Sequence, residues 1–160
     1  MIEVVIFDWG RTLYDSDNGV MFPETGRVVR CLARRYRLAI VSLVTASGYQ
    51  VRVTERLTVL RDEGLAPYFS AVLFALADKD QLYERALARL RVAPEAVAVV
   101  DDRACRGIAW GARRGATTIW LCHGKFKDER PNEQTGWPTH IIDTLAALPP
   151  LLLSETELSD

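Results

Sequence analysis

At 160 residues, with 49% hydrophobic and 26% charged residues and a formal net charge of -1, the chain fits one ordinary globular domain with a substantial core. The balanced charge excludes any general attraction to nucleic acid or to an anionic membrane. No apolar run is long enough to span a bilayer, and the run over residues 145–153 is interrupted by Pro149-Pro150. Three scattered cysteines, Cys31, Cys105 and Cys122, show no metal-ligand spacing and read as reduced thiols. The start of the sequence has no basic stretch leading into a cleavable apolar segment, so a cytoplasmic protein is the expectation.

Residues 3–7 are apolar and mostly β-branched, which predicts a strand buried on both faces and ending at Asp8. A polar loop follows over 15–22. Pro23-Glu24 suits the first turn of a helix that runs to about Arg35. Residues 38–41 form a second buried strand ending at Ser42, and residues 43–46 are ambiguous between strand and loop. From Ser47, the spacing of Val51, Leu57, Val59, Leu60 and Leu65 predicts a long helix that Gly64 helps to close.

Residues 71–76 form a third strand, followed by Asp78-Lys79-Asp80 and a helix through Leu82, Tyr83, Ala86, Leu87 and Leu90. The fourth strand, 97–100, ends in Asp101-Asp102. Residues 104–114 read as a helix stopped by Gly115, and 117–121 as a fifth strand. A long irregular loop covers 122–138, then comes a short edge strand at 139–141. A last helix over 143–148 precedes Pro149-Pro150, and the acidic tail 154–160 is expected to fray. Alternation of strand and helix predicts a doubly wound, Rossmann-like α/β domain over 1–153, with a mainly parallel sheet of five to six strands and helices on both faces.

Four strand ends carry polar chemistry: Asp8, Ser42, Lys79 just past the third strand, and Asp101-Asp102. A doubly wound sheet brings such residues to one edge. A carboxylate nucleophile, a hydroxyl donor, a fixed cation and two metal-binding carboxylates suit phosphoryl transfer, which depends on positioning and charge stabilisation. Mg²⁺ prefers hard oxygen ligands, so this donor set fits it. Each residue also has a plainer reading. Asp8 can cap a turn, Asp101-Asp102 can cap a helix, Lys79 can sit solvated on a turn, and Thr45 and Ser47 compete with Ser42. His123 and His140 are isolated and read as loop residues, although His123 follows the fifth strand and could line a pocket mouth.

The order of these motifs resembles the haloacid dehalogenase-like (HAD) superfamily. Asp8, Thr12 and Leu13 match its opening Asp-x-Asp-x-Thr strand end, and residues 36–42 match its second motif, ending in Ser42. Lys79 ahead of the Tyr83–Leu90 stretch matches the third, and Asp101-Asp102 the fourth. The resemblance covers nearly the whole chain. It implies a Mg²⁺-dependent phosphatase in which Asp8 is nucleophile and metal ligand and the Gly10 carbonyl is a second ligand. Asp102 would bind the metal directly, with Asp101 beside it or acting through water. Ser42 and Lys79 would hold the phosphoryl oxygens.

Two departures stand out. Gly10 occupies the position of the family's second Asp, the general acid, and Arg106 stands four residues after Asp102 where another Asp is often found. Loss of general acid catalysis costs roughly 10²–10⁴-fold in rate, which leaves acyl or aryl phosphates as substrates. Other branches that lack the second Asp, the dehalogenases and phosphonatases, depend on an inserted cap domain. Only about thirty residues separate Asp8 from Ser42, so a capless domain is expected, acting on a phosphorylated small molecule or protein. A member that only binds such a ligand or partner is the alternative, and dehalogenase or phosphonatase chemistry is a minor alternative. Oligomeric state is not encoded in any readable pattern.

Overall fold

A computed structural model describes residues 1–159. Its strands are β1 (Val4–Phe7), β2 (Tyr14–Asp15), β3 (Val20–Met21), β4 (Arg37–Leu43), β5 (Phe69–Ala75), β6 (Val97–Asp101), β7 (Thr117–Leu121) and β8 (His140–Ile142). The helices are α1 (Thr25–Leu32), α2 (Tyr49–Asp62), α3 (Lys79–Leu90), α4 (Ala109–Arg114), α5 (Leu148–Leu152) and α6 (Glu155–Ser159). Six strands form one sheet in the order β5-β4-β1-β6-β7-β8, with every pairing parallel. The chain steps outward from β1 through β4 to β5, then returns to β6 and steps outward the other way. The reversal falls between β1 and β6, where an open α/β sheet forms its binding crevice beyond the strand carboxyl ends.

The two faces of the sheet are set by the period-2 alternation of its strands. Val5, Phe7, Leu38, Ile40, Ala98 and Val100 face one core with Val28, Val29 and Leu32 of α1. Val4, Ile6, Ala39, Val41, Val97 and Val99 face the other, with Leu82, Tyr83, Ala86 and Leu87 of α3 and Trp110 of α4. Helices therefore cover both faces, as expected. Each fully buried aliphatic side chain contributes about 1.5–3 kcal/mol, so β1, buried at every position, is anchored from both sides. Asp8 follows it immediately and inherits that rigidity.

Several local details differ from the expectations. The polar stretch after β1 contains a hairpin, β2 paired antiparallel with β3. Strands this short carry no alternation to read. Ser42 lies inside β4, because the pairing with β5 continues to Leu43. Helix α3 begins at Lys79, with the Asp78 carboxylate accepting the Gln81 N–H as its cap. Residues 104–108 form a π-helical turn before α4. Pro149 and Pro150 do not stop a helix but open α5, where the first turn has no use for their missing N–H groups. In the tail, Ser154 and Glu157 bond reciprocally and start α6; Asp160 lies outside the described residues. No folded domain is inserted between β1 and β4 among the described residues, only the hairpin and α1.

Candidate active site

Asp8 sits just past β1, Asp101 closes β6 and Asp102 follows it, so the parallel pairing of β1 with β6 brings three carboxylates to one edge. One oxygen from each lies within 4.8 Å of the others. Lys79, the first residue of α3, reaches into them with Nζ 2.6 Å from Asp8 Oδ1 and 2.7 Å from Asp101 Oδ2. All four groups are buried. Burial of Asp8 raises its pKa; Lys79 opposes that shift and the Asp101 charge adds to it. Burial also works against the Lys79 charge, but Asp101 and Asp8 outweigh it and hold the ammonium well above its ordinary pKa.

The two neighbouring aspartates have different work. Asp101 is saturated by protein donors: its Oδ2 also accepts from the Tyr83 hydroxyl at 3.2 Å, and its Oδ1 accepts the Arg103 N–H at 2.9 Å. Tyr83 follows Lys79 by four residues and so shares its helix face. Gly107 makes this contact possible, since a Cβ there would collide with Asp101 Oδ2 and the Tyr83 hydroxyl. Asp102 is held by its backbone, whose carbonyl accepts Trp120 Nε1–H at 3.0 Å, while its Oδ2 is buried without a partner. Burial, then the charges of Asp101 and Asp8, push Asp102 up to about 8.

A buried carboxylate oxygen with no donor is rare in native structures and marks a group that something else satisfies. Among the described residues only three buried side-chain atoms lack a partner, Arg11 Nε, Thr12 Oγ1 and Asp102 Oδ2. Two lie on the turn after β1 and the third just past β6. Asp8 and Asp102 therefore fit a hard divalent cation, with Asp101 behind them as the anchor of Lys79. Gly10 lines the same cleft, and its carbonyl accepts no backbone hydrogen bond among the described residues.

This arrangement predicts a pH signature. An acid whose folded-state pKa is raised contributes stability that is present below its unfolded pKa and lost as pH climbs through the folded value. The cation-free fold should therefore weaken from about pH 4 to about pH 8 through Asp102. A divalent cation must displace that proton, so its affinity should rise with pH, by up to about tenfold per unit below pH 8. Calorimetric titrations with Mg²⁺ across this range test it, and a flat profile would remove Asp102 from the ligand set.

Ser42, expected to bind phosphoryl oxygens, lines the cleft with its hydroxyl 2.8 Å from Arg56 Nη1. Arg56 comes from α2 and had no local sequence signal. The loop over 122–138 is tied down over the site. Glu129 accepts from Arg103 Nε and from the Cys105 N–H, and the Arg103 guanidinium stacks 3.8 Å from the Phe126 ring centre. His123 bonds the Arg11 carbonyl through Nε2, which joins the loop to the turn after β1. Arg11 itself has a left-handed backbone (φ 58°), a conformation that costs a non-glycine residue about 1–2 kcal/mol. His140 is exposed on β8, Trp9 is buried in a stack with Tyr14, and Trp137 is exposed. No helix among the described residues is long and apolar enough to cross a membrane.

The parallel α/β domain thus gathers carboxylates from two adjacent central strands, β1 and β6, and a lysine from α3 at one sheet edge. Residues 79–148 match the HAD-hydrolase-like family model, a span that takes in Lys79, Asp101 and Asp102. The fold agrees with the magnesium-bound HAD-hydrolase YfnB from Bacillus subtilis (TM-score 0.75, 14% identity, covering 96% of this chain and 99% of that one). It also agrees with a HAD-like family hydrolase from Xanthomonas campestris (0.74, 10% identity, 94% of each chain). A 2-haloacid dehalogenase from Pseudomonas syringae pv. tomato is similar as well (0.71, 18% identity, 95% and 98%). At such identities the likeness is one of fold. No curated protein is matched by the sequence. The family-model match over residues 79–148 and the fold shared over nearly the whole chain agree with the resemblance carried by the order of the motifs.

Proposed function

We propose that the chain is a Mg²⁺-dependent phosphohydrolase working through an aspartyl-phosphate at Asp8. The observation that carries this reading is the partnerless buried Asp102 Oδ2 beside Asp8, whose other neighbour is the Lys79 ammonium at 2.6 Å. Lys79 fixes Asp8 Oδ1 and favours the ionised carboxylate against the burial that raises its pKa, so the nucleophile is held in place. The Asp8 side chain stays 11% exposed on the cleft side, where a phosphoryl group can reach it. The Ser42 hydroxyl and Lys79 hold the equatorial oxygens as charge builds on them. A bound Mg²⁺, held by Asp8, Asp102 and the Gly10 carbonyl, would supply charge neutralisation of the phosphoryl group. A phosphate-release assay on aryl and acyl phosphates, with and without Mg²⁺, tests the reading. Absence of turnover together with failure of BeF₃⁻ to trap at Asp8 would sink it.

Gly10 makes a separate expectation possible. A side chain at position 10 would point at the exposed Ser16, whose Oγ would stand 2.9 Å from the new Cβ. That hydroxyl can rotate away, and Gly10 does not have a positive φ. Gly10→Asp, alone and with Ser16→Ala, should raise turnover of alkyl phosphates by about 10²-fold or more if only the acid is missing. Unchanged alkyl phosphate turnover in both variants would show that position 10 does not limit the rate.

A second reading keeps the scaffold and drops the chemistry, leaving a protein that binds a phosphorylated ligand or protein partner. The Arg56 guanidinium, already bonded to the hydroxyl that would hold the phosphoryl group, favours it. Phosphate binding without turnover of any activated ester would select this reading.

A further inference from the structure

The cleft that holds Asp8 has a volume of about 310 Å³ and carries an excess of positive charge. Five cations line it, Arg11, Arg56, Lys79, Arg103 and Arg106, against the carboxylates of Asp8 and Asp102. Three of the cations are answered by protein: Lys79 by Asp8 and Asp101, Arg103 by Glu129, and Arg11 by Asp17 at 2.8 Å. Arg56 and Arg106 pair with no carboxylate among the described residues, and Arg11 keeps a buried Nε without an acceptor. Guanidinium groups gathered at one cleft repel each other unless an anion joins them, and each is a fork suited to a carboxylate or phosphate.

A single phosphoryl group does not account for this set. Ser42, Lys79 and a divalent cation already serve its oxygens in the reading above. Arg56 also lines an adjoining cleft of about 270 Å³, between α2 and the Trp9–Tyr14 stack, so there is room for more substrate beyond the phosphoryl site. Gly10 adds a chemical constraint from the other side. With no acid there, the leaving oxygen must depart unprotonated, which favours a leaving group that is a stable anion.

We infer that the substrate carries a second anionic group next to the scissile phosphate, a carboxylate or a phosphate, held by Arg56 and Arg106 with Arg11 beside them. The inference rests on the phosphohydrolase reading for its chemistry and extends it to a substrate class, phosphoanhydrides and acyl phosphates that bear a further carboxylate. An Asp8 carboxylate oxygen bonds to phosphorus while the bond from phosphorus to the bridging oxygen breaks. The bridging oxygen takes the electron pair and leaves as a carboxylate or phosphate, stabilised by the arginines without a proton. Water then attacks phosphorus, Asp8 leaves as carboxylate, and inorganic phosphate and one proton are released.

Binding and turnover test this separately. Calorimetry at fixed free Mg²⁺ compares methylenediphosphonate, phosphonoacetate and methylphosphonate, none of which can be cleaved by this route. One or both of the doubly anionic ligands should bind at least about ten-fold tighter than methylphosphonate. The first identifies phosphate as the second group and the other carboxylate. Arg56→Ala and Arg106→Ala should each narrow that ratio, and Arg106, being exposed, can be replaced without disturbing the core. A ratio within about two-fold in the unmodified protein, or one unchanged by both variants, overturns the inference even if p-nitrophenyl phosphate is hydrolysed. A clear preference without any turnover upholds the second anion site and counts against the phosphohydrolase reading instead.

Discussion

Replacing Asp8 by asparagine is expected to lower phosphate release by on the order of 10⁴-fold or more while leaving the fold at least as stable. The amide keeps the shape of the carboxylate but not the anionic oxygen that must attack phosphorus. Stability moves the other way because of the charges around it. Without a divalent cation, the three carboxylates face one ammonium, and burial already makes the Asp8 charge unfavourable. Asp8→Asn removes one repelling charge, and Lys79 retains Asp101 at 2.7 Å. Thermal melting without divalent cation should therefore give an unchanged or higher Tm. Stabilisation by added Mg²⁺ should shrink, since a ligand charge has gone. Retention of activity within about ten-fold would show that another group attacks phosphorus.

How much of this could be seen in the chain follows from where each residue's constraint comes from. β1, β4 and β6 are continuous apolar runs because both faces are covered, and that pattern is visible without a structure. Their polar ends then fall at one edge by topology alone, so Asp8, Ser42, Asp101 and Asp102 were legible once the strands were. Lys79 follows because α3 starts there. The hairpin β2–β3 escaped notice because two-residue strands show no periodicity. The π-helical turn was hidden because its cause is tertiary: Gly107 passes close to Asp101 and Tyr83, which come from β6 and α3. Arg56 was missed for a similar reason. It sits among polar residues of α2, a helix in which Leu60 alone is fully buried, and nothing local shows that its guanidinium returns to Ser42. Tyr83 had a readable clue in its four-residue spacing from Lys79, but apolar packing explained it equally well.

The loop over 122–138 reaches the cleft through Phe126. It is fastened by Arg103–Glu129, by Phe126 under two guanidiniums, and by His123 on the Arg11 carbonyl. Those anchors also fix Arg11 and Arg103 at the cleft. The same contacts that order the loop thus keep positive charge at the mouth, and cleft polarity becomes a property of the fold.

Lys79→Met should destabilise the cation-free protein by about 3–5 kcal/mol, a fall in Tm of roughly 6–20 °C for a domain of this size. Methionine keeps an apolar stem of similar length against Tyr83, so the change falls mainly on charge. What remains is Asp8 and Asp101 buried together without their shared cation, with Asp102 beside them. Each carboxylate then takes up a proton more readily in the fold than in the unfolded chain. By linkage the fold keeps its stability below the unfolded carboxylate pKa, near pH 4, and loses it as pH rises above that. The deficit of Lys79→Met should therefore be small near pH 4 and grow towards neutrality, and added Mg²⁺ should recover part of it. Asp101→Asn in the Lys79→Met background should restore more stability than it does with Lys79 present, because the double variant no longer buries an unpaired charge at that position. A deficit of equal size at both ends of the pH range, unmoved by Asp101→Asn, would mean that Lys79 acts through packing and that the carboxylates settle their repulsion without it.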